Sequence, residues 1–210
     1  ASCREHNPVI VPAVADGRGQ VDGAGKPMSP RFRVFLAALV WAAAVAGTVA
    51  AGDNPPVSSD LFHFHSAESI ADWSAIDDVV MGGVSSSRLR HDPAGHALFE
   101  GVVSLENNGG FASVRSRPRE LGAPGAVSYR VEVRGDGKRY KLNLRTDEAF
   151  DGVNYQAAFA PPPGEWTTVR LPVSGFRPTF RGRVVAGAPP LDPARVRQIG
   201  LMIADGQAGA

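Results

Sequence analysis

Residues 73–85 read W-S-A-I-D-D-V-V-M-G-G-V-S, and residues 104–115 read S-L-E-N-N-G-G-F-A-S-V-R. Both set carboxylates, amides and small residues beside apolar strand formers. Neither has the layout of a catalytic triad, a phosphate loop or a metal site. Met81-Gly82-Gly83 supplies a backbone bend that needs positive φ or a close approach. Asn107-Asn108-Gly109-Gly110 supplies a tight turn with positive φ. The two stretches predict a β-domain whose polar positions are structural corners or a binding surface.

The flanking sequence agrees. Residues 61–65 alternate with period two, placing Phe62 and Phe64 on one face and His63 and His65 on the other. Further strands are predicted at 97–105, 111–115, 126–134, 140–145, 155–159, 166–171 and 199–203. Turn signals such as Asp92-Pro93-Ala94-Gly95 and Gly135-Asp136-Gly137 part them. Short strands at this spacing, with no repeat and no βαβ alternation, predict an all-β sandwich or barrel. One or two short helical turns are expected, at 68–73 after Ser66 and after Asp192 as N-cap with Pro193 in the first position. Trp166, at the head of an apolar run, is expected in the core.

The 210 residues allow one domain plus tails, and the net charge of +1 offers nothing to a polyanion. The arginines are scattered among acids, so no nucleic-acid face is expected. Cys3 is the single cysteine, which excludes an intramolecular disulfide and a cysteine metal site.

Residues 1–30, rich in Gly, Pro, Ala and Asp, predict a disordered leader. Met28 reads as the initiator, which would leave the residues before it untranslated. Segment 31–52 has the form of a signal peptide: basic Arg31 and Arg33, an uncharged apolar run 34–51, and the small-residue exit Thr48-Val49-Ala50-Ala51-Gly52. The run also reaches the lower edge of a membrane-spanning length, so an uncleaved anchor is the second reading. Cleavage would export the domain to a periplasmic or extracellular space; without it, 34–51 would be the membrane contact. Residues 53–60 read as a linker and 61–210 as the β-domain.

Several polar residues are candidates for function. Asp77 and Asp78 are neighbours, so on an extended chain they point to opposite faces and make no acid/base pair. One is read as capping a turn, the other as free to face a ligand, with a structural role preferred for both. Glu106, beside Asn107, is either a surface carboxylate or a partner for Arg115 or Arg145 on a concave face. Tyr140, Asn143, Arg145, Tyr155 and Gln156 set rings beside amide and guanidinium groups, which suits a sugar or a peptide, or the outer face of an ordinary sheet. The histidines do not form a metal-ligand set, and no loop has EF-hand spacing. No acid, base and nucleophile converge, so no enzyme and no cofactor are expected.

These residues carry a resemblance. Trp73, Asp77 through Ser85, Leu105 through Arg115, Gly135-Asp136-Gly137, Tyr140-Lys141-Leu142, Leu144-Arg145-Thr146, Tyr155-Gln156, Trp166, Leu171-Pro172, Phe176 through Gly182 and Ile199 through Ile203 resemble the thirty-kilodalton complex I intermediate-associated protein family. The resemblance covers about residues 61–210. It implies a galactose-binding-like jelly-roll β-sandwich, related to carbohydrate-binding modules. Eukaryotic members are mitochondrial chaperones of respiratory complex I assembly, with no established catalytic residues; this chain resembles a bacterial member. The implied function is a non-enzymatic interaction module for a protein partner, a respiratory membrane-complex subunit. The alternative is a glycan-binding module using the concave face. Family members continue past Asp205-Gly206-Gln207 with a final strand, so a missing strand and an unpaired edge are expected where this sequence stops.

Overall fold

The structure, a computed structural model, describes residues 13–16 and 59–209. Among the described residues, thirteen strands run in the order β1 Ala13–Asp16, β2 Ser59–Asp60, β3 Trp73–Ala75, β4 Ser86–Asp92, β5 His96–Val102, β6 Ala112–Ser116, β7 Ser128–Arg134, β8 Tyr140–Arg145, β9 Asn154–Phe159, β10 Trp166–Pro172, β11 Arg177–Phe180, β12 Arg183–Val184 and β13 Gln198–Ile203. Short 3-10 turns lie at Ala67–Ile70, Asp78–Met81, Glu106–Asn108, Val173–Gly175 and Pro193–Arg195. The last begins as expected: Asp192 Oδ1 accepts from the Ala194 amide at 3.0 Å, and Pro193 occupies the first position.

The strands form a seven-stranded sheet in the order β12-β11-β9-β8-β13-β6-β3, a four-stranded sheet β10-β7-β1-β2, and the hairpin β4-β5. The strand pairings are antiparallel throughout. Alternation decides what each strand buries. β7 turns Tyr129, Val131 and Val133 inward, and β8 and β13 turn Leu142, Leu144, Ile199 and Leu201 inward, all at most 1% exposed. Burying such a side chain contributes about 1.5–3 kcal/mol, which makes this layer the main stabiliser. The molecule is an all-β sandwich.

Three differences from the sequence reading have simple causes. Residues 61–65 are not a strand, yet Phe62 and Phe64 are buried on one side. They are held by Trp73, whose ring lies 5.0 Å from Phe62 and 5.9 Å from Phe64, rather than by a neighbouring strand. Trp166 is 45% exposed instead of buried. It shares its parity on β10 with exposed Thr168 and Arg170, while Leu171 takes the inner parity. The Trp166 ring covers itself with the His96 edge and the Arg134 guanidinium. Within the expected leader, Ala13–Asp16 pairs with β7, whose second edge it occupies opposite β10. The signal or anchor segment 31–52 lies outside the described residues. Beyond β13, the Gly209 and Val103 amides donate to each other's carbonyls, both at 2.9 Å.

Candidate functional site

The two stretches that mark the sequence close on each other around one carboxylate. Asp78 opens the 3-10 turn after β3 and has no exposed surface. Its Oδ1 accepts the Ser85 amide at 2.8 Å, and its Oδ2 accepts the Ser85 hydroxyl at 2.5 Å and the amides of Gly110 at 2.7 Å and Phe111 at 3.3 Å. Burial alone pushes the Asp78 carboxyl up, but these donors outweigh it and hold it below the usual carboxylate range. The glycines make room. A Cβ on Gly83 would lie 2.4 Å from the Asp78 carboxyl carbon, and one on Gly109 would lie 2.6 Å from its Oδ2. Gly82 and Asn107 take the positive φ values, 91° and 52°, that their turns require.

Asp77 faces the other way and staples different strands. It accepts the Ser87 amide at 2.8 Å, the Ser87 hydroxyl at 2.6 Å and the Ser113 amide at 2.9 Å. Both aspartates therefore direct their oxygens into the protein. Glu106 and Asn107 are exposed on the tip of the turn, and Glu106 forms an ion pair with neither Arg115 nor Arg145.

The outer face of the seven-stranded sheet holds a hollow of about 410 Å³. Register explains its shape. On one row across the sheet, Arg115 of β6 pairs with Gly200 of β13, Gly200 with Asn143 of β8, and Asn143 with Gln156 of β9. With no side chain at Gly200, the floor of the hollow dips to a pit between Arg115 and Asn143, bounded below by the Val114 carbonyl oxygen, which lies 2.7 Å from where a Cβ would stand. On neighbouring rows Gln198 pairs with Arg145, and Met202 with Lys141. Arg115 and Arg145 converge: both donate to the Phe150 carbonyl, at 3.2 and 3.5 Å. The Arg145 guanidinium also meets Asp147 at 2.7 Å, whereas Arg115 lies 5.3 Å from the Phe150 ring centroid. Desolvation and then the neighbouring Arg145 charge lower the Arg115 pKa. At the margins Lys141 pairs with Asp205 and Arg181 with Asp151, each pair holding its carboxyl below the usual range.

The sequence set is thus divided by the sheet. Arg115 and Arg145 line the hollow, but Tyr140 and Tyr155 are 4% exposed in the core on the opposite face. The Tyr140 hydroxyl donates to Asp136 at 2.8 Å and that of Tyr155 to the Pro189 carbonyl at 3.2 Å. Sequence reading missed Gln198, Gly200, Met202, Phe150 and the rim residues Val80 and Met81. The signal available was the alternation in Q-I-G-L-M-I, which puts Gln198, Gly200 and Met202 together on one face. Among the described residues no three His, Cys, Asp or Glu side chains group to hold a metal.

The model of the complex I intermediate-associated protein 30 family matches residues 62–210. An uncharacterised protein of Schizosaccharomyces pombe is 30% identical over 150 residues, covering 63% of this chain and 68% of that protein. The mitochondrial complex I intermediate-associated protein 30 of Drosophila melanogaster is 26% identical over 173 residues, covering 72% of this chain; the chain spans only 58% of that relative's length. The Neurospora crassa protein of the same name is 24% identical, covering 71% of this chain and 68% of the relative. Among solved structures, a family 11 carbohydrate-binding module from Clostridium thermocellum, in complex with a mixed-linked tetrasaccharide, superposes with a TM-score of 0.50 at 16% identity. That match covers 70% of this chain and 88% of the module, and it shows a shared galactose-binding-like jelly roll. With the family model matching more than half of its length, the chain belongs to the complex I intermediate-associated protein 30 family.

Proposed function

We propose that this chain is a non-enzymatic binding module that engages a protein partner across the hollow of the seven-stranded sheet, as an assembly chaperone for a respiratory membrane complex. The observation that carries the reading is the lining. Val80, Met81 and Phe150, each more than half exposed, rim a hollow in which Arg115 and Arg145 converge. Exposed apolar side chains gathered in one place mark interaction sites. Aromatic residues, Met and Arg are the types enriched in protein–protein interfaces. Family membership and the names of the two mitochondrial relatives supply the class of partner.

A glycan is the second reading, favoured by the amides of Asn143, Gln156 and Gln198 in the hollow. The two tyrosines that the sequence offered as sugar platforms face the core instead, which weakens it. The apolar run 34–51 supports delivery to or through a membrane, and the mature N-terminal residue, read by mass spectrometry, tests that. No helix among the described residues is long and apolar enough to cross one.

The test is site-specific photo-cross-linking of the full chain in membranes. A photoreactive side chain at Met81 or Phe150 should trap a subunit of a respiratory membrane complex. The same probe at Trp166, exposed on the other sheet, should not. No adduct at either rim position, together with glycan-array binding that Arg115→Gln abolishes, would transfer the function to the second reading.

A further inference from the structure

The charges of the hollow do not balance, and the imbalance sits at one place. Among the described residues, Lys141, Arg145 and Arg181 each have a carboxylate partner, in Asp205, Asp147 and Asp151. Arg115 has no carboxylate within ion-pair distance among these residues, only the more distant charges of Asp147 and Asp151: its guanidinium rests on the Phe150 carbonyl and ring. Yet Arg115 shares that carbonyl with Arg145, so two cations converge on a single neutral oxygen. The floor beside them is also unsatisfied. Asn143 Oδ1, Gln198 Oε1 and Arg145 Nε make no hydrogen bond among the described residues, and their residues are 6%, 5% and 3% exposed. An unpaired buried polar group destabilises the fold unless something meets it, and three lie together around the Gly200 pit.

We propose that the pit over Gly200 is a carboxylate-binding subsite, which takes the side chain of an acidic residue in an extended segment of the protein partner. This deepens the reading given under Proposed function and rests on it. A carboxylate matches the arginine pair in charge and in geometry, since a guanidinium offers two parallel N–H donors to two oxygens. It also relieves the repulsion between the two cations. The peptide N–H groups flanking the acidic residue supply donors for the amide oxygens of Asn143 and Gln198 once those amides rotate toward the pit, since both oxygens are buried in the structure. Apolar neighbours in the segment fall on Met81 and Phe150 at the rim.

The test is calorimetric titration of the full chain with acetyl-Ala-Leu-Glu-Phe-Ala-amide and with the same peptide carrying Gln in place of Glu. Removing one charge-assisted pair from this pit should weaken binding about 10-fold or more, so the Glu peptide should bind that much tighter. The advantage should shrink as salt rises from about 50 to about 500 mM. In Arg115→Gln it should collapse to within about 2-fold, with Arg115→Lys intermediate because it keeps the charge and loses the fork. Equal affinity of the two peptides in the native chain overturns the proposal, and that comparison does not depend on whether a variant folds. So does an advantage that survives in a folded Arg115→Gln, or binding of oligogalacturonate with no binding of either peptide. If the rim cross-links still trap a protein partner while the peptides are not distinguished, the partner-binding function stands and the carboxylate subsite falls.

Discussion

Replacing Asp78 should unfold the corner where the two marker stretches meet. In Asp78→Ala the amides of Ser85, Gly110 and Phe111 lose their acceptor, while the Ser85 hydroxyl keeps an alternative in the Ser104 carbonyl at 3.3 Å. Three orphaned donors at about 1–3 kcal/mol each, with the 3.3 Å Phe111 hydrogen bond counted lightly, give a loss of about 4 kcal/mol. Asp78→Asn keeps one oxygen but turns an NH2 group toward an N–H donor, and about 2–3 kcal/mol is expected. Asp77→Asn, at a half-buried site with three donors, should cost about 1–2 kcal/mol. Urea unfolding followed by circular dichroism, compared at unchanged m-value, reads the series. The sign with pH follows from the lowered Asp78 pKa: its stabilisation is present above the unfolded carboxylate pKa and is lost as pH falls through the lower folded value. Acid titration of the native chain should therefore show a stability loss below about pH 4 that Asp78→Asn flattens. An Asp78→Ala variant within about 1 kcal/mol of the native chain would refute the cage, because no single buried carboxylate with four donors should be that dispensable.

Gly83→Ala should cost about 1–3 kcal/mol in the same assay, because its Cβ would enter the Asp78 carboxylate, and its effect should shrink but not vanish in an Asp78→Ala background, where the Cβ of residue 78 would still lie 2.9 Å away. Tyr140→Phe removes the hydroxyl donor to Asp136 and should cost about 1–2 kcal/mol near neutral pH. Burial raises the Asp136 pKa but its Lys138 and Tyr140 donors bring it below the usual range, so this cost should fade as acid protonates Asp136. Leu142→Ala, at a fully buried position of β8, should cost about 2–5 kcal/mol in thermal or urea unfolding.

Alternation made most of the fold legible. The runs at 126–134, 140–145, 155–159 and 199–203 became β7, β8, β9 and β13, because period two is what a strand with one buried face must show. β4 was missed since its S-S-R-L-R-H-D carries a single apolar residue, Leu89, and only its partner β5 is a recognisable strand. The face assignments were in the sequence too. Tyr140 and Arg145 stand an odd number of positions apart, as do Tyr155 and Gln156, so neither pair shares a face. Trp166 failed for the reverse reason: hydrophobicity suggested burial, while its parity with Thr168 and Arg170 predicted exposure. The Asp78 cage was not legible, because Gly110 is 32 residues away and nothing local announces that a turn will bring it back. The hollow was not legible because it depends on which strand lies beside which: only the order β9-β8-β13-β6 sets Arg115, Gly200 and Asn143 in a row.

The cage and the hollow are one construction. The turn that Asp78 anchors is the turn that carries Val80 and Met81 to the rim, and those side chains are free to face outward because the carboxylate, not apolar packing, holds the backbone. Asp77 fixes Ser113, two residues before Arg115 on β6, and so sets the edge from which that guanidinium reaches the pit. A turn held by its own buried leucines would leave nothing apolar to present; a turn held by hydrogen bonds can expose what it carries. Sequence alone reads 73–85 and 104–115 as a family mark without chemistry. The geometry gives that mark a consequence, since fixing the corner with carboxylates is what leaves an apolar rim standing beside two converging arginines.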